Sequence, residues 1–180
     1  MFYLAMDLET TGVNPAKDEP VQIAGVIKSD NGRTMTTLNE LIITKVPISE
    51  GAMAVHKITQ EKILAEGLEP WAICKKYQDL VWEYQPITIV GYNLINFDLP
   101  MWQLFMLNHN RNRFKLPPVH CIVDVMHCCS VFFKTTKWLK LSVAAEKLGI
   151  EFNALGLHDA LVDVELTWNI YESLKQRSML

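Results

Sequence analysis

Asp7, Glu9, Asp98, His158 and Asp163 are the residues whose types and order could do chemistry. They fall in three separated segments: Asp7-Leu8-Glu9-Thr10-Thr11-Gly12, Asn93-Leu94-Ile95-Asn96-Phe97-Asp98 and His158-Asp159-Ala160-Leu161-Val162-Asp163. Four carboxylates and one imidazole in this order point to a two-metal site that cuts phosphodiester bonds. A phosphodiester is already anionic, so its hydrolysis needs concentrated positive charge. Two divalent ions ~3.5–4 Å apart can bind both the attacking and the leaving oxygen. Magnesium and manganese prefer oxygen ligands, so such a site needs several carboxylates. Without cations, like charges in one cleft repel, and ion binding is therefore expected to stabilise the fold as well. A loop histidine at the cleft can take a proton from the attacking water.

Each group also has an ordinary explanation. Asp7 could be a strand-end acid facing water, Asp98 an acid favoured at a helix N-terminus, and Asp163 a solvated helix residue. His158 could be a surface or capping histidine. The combination of all three segments is what favours the metal site.

The elements that must position these groups follow from periodicity. Residues 2–9 alternate, with Phe2, Leu4, Met6 and Leu8 on one face and Tyr3, Ala5, Asp7 and Glu9 on the other. Asp7 and Glu9 therefore share a strand face, about 6–7 Å apart along it. Residues 10–20 read as a loop, with Gly12 and Asn14-Pro15 as turn signals. Strands are expected at 21–28 and 33–44, joined at the hairpin signal Asn31-Gly32. Residues 47–51 read as a loop. Pro70 opens a helix running to about residue 84. Residues 87–90 are a short β-branched run expected as a buried parallel strand. A helix over about 97–108 tolerates Pro100 in its first turn. A fifth strand at 119–123 precedes helices at about 125–133, 139–148 and 159–174. His158 and Asp163 can approach one centre only if the last helix starts between them. Three antiparallel strands followed by alternating helices and strands make an α/β fold with a mixed five-stranded sheet flanked by helices.

The chain has 180 residues, 49% of them apolar, which favours one domain spanning 1–180 with a packed core. No apolar run approaches the ~20 residues that span a bilayer. Little chain precedes Asp7, leaving no room for a cleaved signal peptide, so a cytoplasmic protein without membrane partners is expected. The net charge of −3 argues against a large non-specific DNA-binding surface. It fits a nuclease whose carboxylates are offset by bound cations. The four cysteines are Cys74, Cys121, Cys128 and Cys129. They read as buried free thiols, with a zinc site shared with His120 and His127 as the alternative.

The three segments resemble the motifs of the DnaQ-like 3′→5′ exonucleases, the DEDDh branch of the ribonuclease H-like fold. The first segment matches the first motif, Gly91-Tyr92-Asn93 through Phe97-Asp98 the second, and His158 with Asp163 the third. The resemblance spans about residues 2–175. Residues 48–59 look like the family's loop that meets the terminal nucleotide, and are especially similar to the exonuclease X subgroup. Many members carry glycine where this chain has Lys57.

The resemblance implies roles. Asp7 would bridge two divalent cations, Mg2+ or Mn2+. Glu9 and Asp163 would hold the cation that serves the nucleophilic water, Asp98 would serve the second, and His158 would be general base. Leu8, Thr10 and Thr11 would cradle the last nucleotide of a 3′ end, single-stranded by preference, and Ala54, His56 and Phe97 would shape its pocket. Whether a DNA polymerase or repair protein is a partner stays open. DNA and RNA both stay open as substrates. So does a non-catalytic nucleic-acid-binding or polymerase-associated module on the same fold.

Other features are read as structural. Lys134, Lys137 and Lys140 surround Trp138 and could track a single strand, but a solvated segment with one core tryptophan is favoured. Arg111, Arg113 and Lys115 are expected on a solvated face. Asp124 is expected as a helix N-cap or outer acid, and Asp159 as a first-turn dipole partner. Ala160, Val164, Thr167, Tyr171 and Leu174 follow helical spacing and are expected to pack on the sheet. His56, His109, His120 and His127 have no catalytic setting by spacing.

Overall fold

The computed structural model describes residues 1–109 and 119–177. Five strands form one sheet: β1 (Phe2–Thr10), β2 (Pro20–Ser29), β3 (Thr34–Leu41), β4 (Ile87–Gly91) and β5 (Val119–Asp124), in the order β3-β2-β1-β4-β5. The β1–β2 and β2–β3 pairs are antiparallel, and β1–β4 and β4–β5 are parallel. The mixed sheet expected from the sequence is the sheet observed. Helices α3 (Pro70–Glu83), α4 (Asp98–His109), α5 (Val125–Phe132), α6 (Leu141–Leu148) and α7 (Ala160–Gln176) also lie close to their expected positions. None among the described residues is long and apolar enough to cross a membrane.

Alternation along β1 sorts its side chains between two apolar clusters. Leu4, Met6 and Leu8 join Ile73, Tyr77 and Val81 of α3 and Met101, Trp102 and Phe105 of α4. Tyr3 and Ala5 join the opposite cluster, with Val125 and Cys129 of α5, Ala144 and Ala145 of α6 and Val164 and Tyr171 of α7. Ala160, Thr167 and Leu174 are buried as well, as the helical spacing requires. β1 is thus covered on both faces, and an acid on the Tyr3–Ala5 face is directed toward α7.

Two short helices differ from the expected loop. α1 (Glu50–His56) begins inside 47–51, and α2 (Gln60–Glu66) follows it. Neither has an apolar stripe long enough to show periodicity. Each is started by a hydroxyl cap: Ser49 Oγ accepts the Ala52 N–H and Thr59 Oγ1 accepts the Lys62 N–H. Lys57, in the left-handed region at φ 61°, ends α1. β3 also stops at Leu41, short of 44, because the chain there turns to a single bridge between Ile42 and Leu68. The basic cluster Arg111, Arg113 and Lys115 lies outside the described residues.

Three readings of individual residues change. Trp138 is 59% exposed and is no core tryptophan, because the segment between α5 and α6 runs along the surface. Cys121 is exposed, whereas Cys74 and Cys129 are buried as free thiols. Asp124 caps α5 as expected, and does more. Its Oδ1 accepts the N–H groups of Met126 and Asn93, at 3.1 Å each, and its Oδ2 accepts that of Ile95 at 3.0 Å. One buried carboxylate thereby ties the chain after β4 to the end of β5. Asp124→Ala would strand three backbone donors. We expect a loss of about 2–4 kcal/mol in urea unfolding, since each buried unsatisfied group costs roughly 1–3 kcal/mol and relaxation offsets part of the sum. A variant as stable as the parent would refute this role.

Candidate active site

The parallel pairing of β1 with β4 covers only Phe2–Ala5 and Ile87–Val90, while its antiparallel pairing with β2 continues to Thr10. Asp7 and Glu9 therefore stand beyond the point where β4 parts from β1. This is the crevice outside the carboxyl ends of parallel strands where α/β folds place ligands. Gly91 makes the departure sharp. A Cβ there would meet Leu94 side-chain atoms at 2.9 Å and the Met6 carbonyl oxygen at 3.1 Å.

The short turn after Gly91 delivers Asp98 to the first position of α4. Its carboxylate is buried and accepts the Leu8 N–H at 3.0 Å, between Asp7 and Glu9 in sequence. The third segment arrives from the opposite layer. Asp159 caps α7 by accepting the N–H groups of Leu161 and Val162, so the helix does start between His158 and Asp163. His158 sits just before it at φ 68°, a left-handed conformation unusual for a side chain with a Cβ. Its N–H donates to Asp163 Oδ2 at 3.3 Å.

Carboxylate oxygens of Asp7, Glu9 and Asp163 lie within 4.8 Å of one another, the single group with metal-binding geometry among the described residues. None of the cysteines or histidines belongs to it. Asp163 Oδ1 is buried and has no hydrogen-bond partner. Electrostatics report the same crowding. Burial, then Asp98, Glu9 and Asp163, hold the Asp7 carboxyl well above the usual range. Burial, then Asp163 and Asp98, push Glu9 up to about 8. Burial raises Asp98 against the opposing pull of the Leu8 N–H, and raises Asp163 against that of the His158 N–H. Hard, all-oxygen donors, mutual repulsion and an orphaned buried oxygen fit a divalent cation.

Two cavities flank this cluster. One, of about 380 Å3, is lined by Leu8, Glu9, Thr10, Val55, His56 and Phe97, with Val13 at 81% exposure on its rim. The other, of about 560 Å3, is lined by Asp163 and His158 together with Tyr92, Trp138 and Lys140. A third, of about 470 Å3 around Glu19 and His109, has none of the cluster residues in its wall.

The expected pocket residues separate into two groups. Leu8, Thr10, His56 and Phe97 line the first cavity. Thr11 and Ala54 do not. Thr11 is fully buried, its hydroxyl donating to Asp18 Oδ1 at 3.0 Å. Ala54 is exposed, and its carbonyl accepts Lys57 Nζ. Its helix neighbours Ala52 and Val55 face the cavity instead. His56 is also a strut. Its Nδ1 accepts the Ile58 N–H at 3.0 Å, so Nε2 carries the proton and donates to the Thr10 carbonyl at 3.2 Å. Burial lowers its pKa, against the raising effect of the bond to the Thr10 carbonyl. Val13, Ala52 and Tyr92 line the cavities without having been named as site residues, although Ala52 and Tyr92 lie within the segments singled out from the sequence and Val13 adjoins the first.

Solved structures share this fold. E. coli exonuclease I in complex with a dA16 oligonucleotide superposes with a TM-score of 0.83 at 19% identity, over 99% of this chain and 42% of that one. Exonuclease I from Methylocaldum szegediense gives 0.82 at 18% identity, over 98% and 40%. Among curated proteins, the PolC-type DNA polymerase III of Pediococcus pentosaceus is 27% identical over 168 residues, 93% of this chain and 11% of that protein. That of Mycoplasma pneumoniae is 24% identical over 175 residues, 97% and 12%. The chain thus spans about a tenth of the length of these curated relatives. The exonuclease family model of the RNase T type matches residues 4–171, nearly the whole chain, and this protein belongs to that exonuclease family.

Proposed function

We propose that the chain is a 3′→5′ exonuclease that hydrolyses the terminal phosphodiester of a single-stranded nucleic acid, releases nucleoside 5′-monophosphates and uses two divalent cations, Mg2+ or Mn2+. The observation that carries this is the convergence of Asp7, Glu9 and Asp163 within 4.8 Å at the strand end to which Asp98 is hydrogen-bonded. Asp7 would contact both cations, Glu9 and Asp163 the one beside the attacking water, and Asp98 the other. Cations held there would offset phosphate charge and make water a stronger acid. His158, exposed in the second cavity beside Asp163, would accept the proton of that water. The terminal nucleoside would occupy the first cavity. Its apolar wall of Leu8, Val55 and Phe97 suits a base of any identity, because stacking contributes ~1–3 kcal/mol without reading sequence.

The solved relative from E. coli holds a DNA oligonucleotide, which supports DNA as substrate. The curated relatives are DNA polymerases, which supports service beside a polymerase.

The deciding assay incubates 3′- or 5′-labelled DNA and RNA strands with the protein, with and without Mg2+. Mononucleotide release from the 3′ end that EDTA abolishes is expected. Tight 3′-end binding with no product in Mg2+ would favour a non-catalytic module instead. His158→Ala should lower kcat by ~10²–10⁴-fold, as for loss of a general base; unchanged turnover would remove His158 from the mechanism.

A carboxyl whose folded-state pKa stands above its unfolded value binds its proton more tightly when folded. Its contribution then declines as pH rises from the ordinary carboxyl range toward about 8, the value for Glu9. Calorimetry should show the metal-free protein losing Tm relative to the Asp7→Asn variant over that interval, with Mn2+ restoring Tm to the parent only. A metal-free Tm difference that does not change with pH would contradict the crowded-carboxylate picture.

A further inference from the structure

The two cavities meet at the carboxylates: Glu9 lines one, Asp163 lines the other, and oxygens of both lie within 4.8 Å. A phosphodiester reacting at that point must have a nucleoside on each side of its phosphorus. If the smaller cavity takes the terminal nucleoside, the larger faces the one that precedes it. Its volume of about 560 Å3 falls in the ~300–1,000 Å3 range of small-molecule sites. Its wall combines an exposed aromatic ring with a cation, the pair that single-strand-binding grooves use for base and phosphate.

The wall is built to hold that ring in place. Tyr92, directly after β4, donates its hydroxyl proton to the Leu139 carbonyl at 2.7 Å and so pins the residue next to Trp138. The His127 ring meets Trp138 in an edge contact, centroids 4.8 Å apart. His127 in turn lies 3.6 Å from the buried Asp124 carboxylate. Trp138 nevertheless stays 59% exposed, a large apolar area for a ring braced by a neighbouring side chain. Lys140 shares the cavity wall with it, and Lys134 and Lys137, near it in sequence, are exposed; the lysine ion pairs among the described residues engage Lys28, Lys75 and Lys76. In a chain of net charge −3, a lysine of this wall, Lys140, that makes no ion pair among the described residues complements an incoming strand.

We propose that Trp138 is the stacking platform for the base immediately upstream of the scissile phosphate, with Lys140 on the backbone of the same strand. This rests on the exonuclease reading above and extends it. The site engages a dinucleotide step, and its substrate is a strand with an unpaired penultimate base. A base held in a duplex is stacked on its neighbours and has no free face to offer the indole.

The test uses the full chain with Mn2+ and two single-stranded DNA 12-mers, one complete and one abasic at the penultimate position. The parent protein should show a KM about ten-fold higher on the abasic strand, the scale of one lost base stack. Trp138→Ala should show the same KM on both strands, close to the parent's value on the abasic one, and Trp138→Phe should recover most of the discrimination. Because each variant is compared with itself on two strands, partial misfolding cannot imitate the result. A parent protein indifferent to the abasic site, or a Trp138→Ala protein that still discriminates, would overturn the platform. Hydrolysis of thymidine 5′-monophosphate p-nitrophenyl ester by the parent, which needs no upstream base, reports the reaction centre separately. If the parent fails on the ester and on both strands, the exonuclease reading falls and takes the platform with it.

Discussion

Four acidic side chains are held together at the end of one strand against their own repulsion, and much of the fold serves that constraint. Asp7 and Glu9 come from β1, Asp98 from the start of α4 in one layer, and Asp163 from the first turn of α7 in the other. Apolar packing supplies the rigidity. β1 is central in the sheet and buried on both faces, so neither covering layer can withdraw its acid without exposing core. Burial is the largest cause of the raised carboxyl pKa values at all four positions, and the acids add to one another's shifts at Asp7 and Glu9. A site strained in this way has a strong reason to take up cations.

Backbone hydrogen bonds fix the geometry that packing alone would leave loose. The Leu8 N–H holds Asp98 and the His158 N–H holds Asp163, so each of the outlying acids is oriented by a donor from another motif residue. Asp124 works one step further out. By accepting N–H groups from Asn93 and Ile95 it sets the path of the chain between β4 and Asp98. It also stands beside His127, which braces Trp138. One buried carboxylate outside the metal group thus bears on both sides of the cleft.

The carboxylate cluster divides the cleft into two unlike halves. A largely apolar cavity floored by the end of β1 lies on the Glu9 side, and one with an aromatic ring and a lysine lies on the Asp163 side. The asymmetry arises from layer origin. α1 and the chain after β1 build the first cavity, while the β4 end and the α5–α6 connection build the second.

The sequence by itself determined the elements with a clear period and the residues with a clear chemical signature. Alternation along residues 2–9 placed Asp7 and Glu9 on one face, and hairpin and β-branched signals gave the five strands. Those signals are local, carried by neighbouring residues, and so survive without tertiary information. α1 and α2 were not legible because each spans only seven residues and is defined by a hydroxyl cap more than by a stripe. Ala54 and Ala52 could not be told apart from the cavity's side, since which face of a short helix turns inward depends on what it packs against. The capping of α5 by Asp124 was legible, but its bonds to Asn93 and Ile95 and the exposure of Trp138 were decided by tertiary structure. Both depend on contacts between segments far apart in the chain, where a carboxylate finds two further donors or an indole is left uncovered, and no local pattern encodes such a meeting.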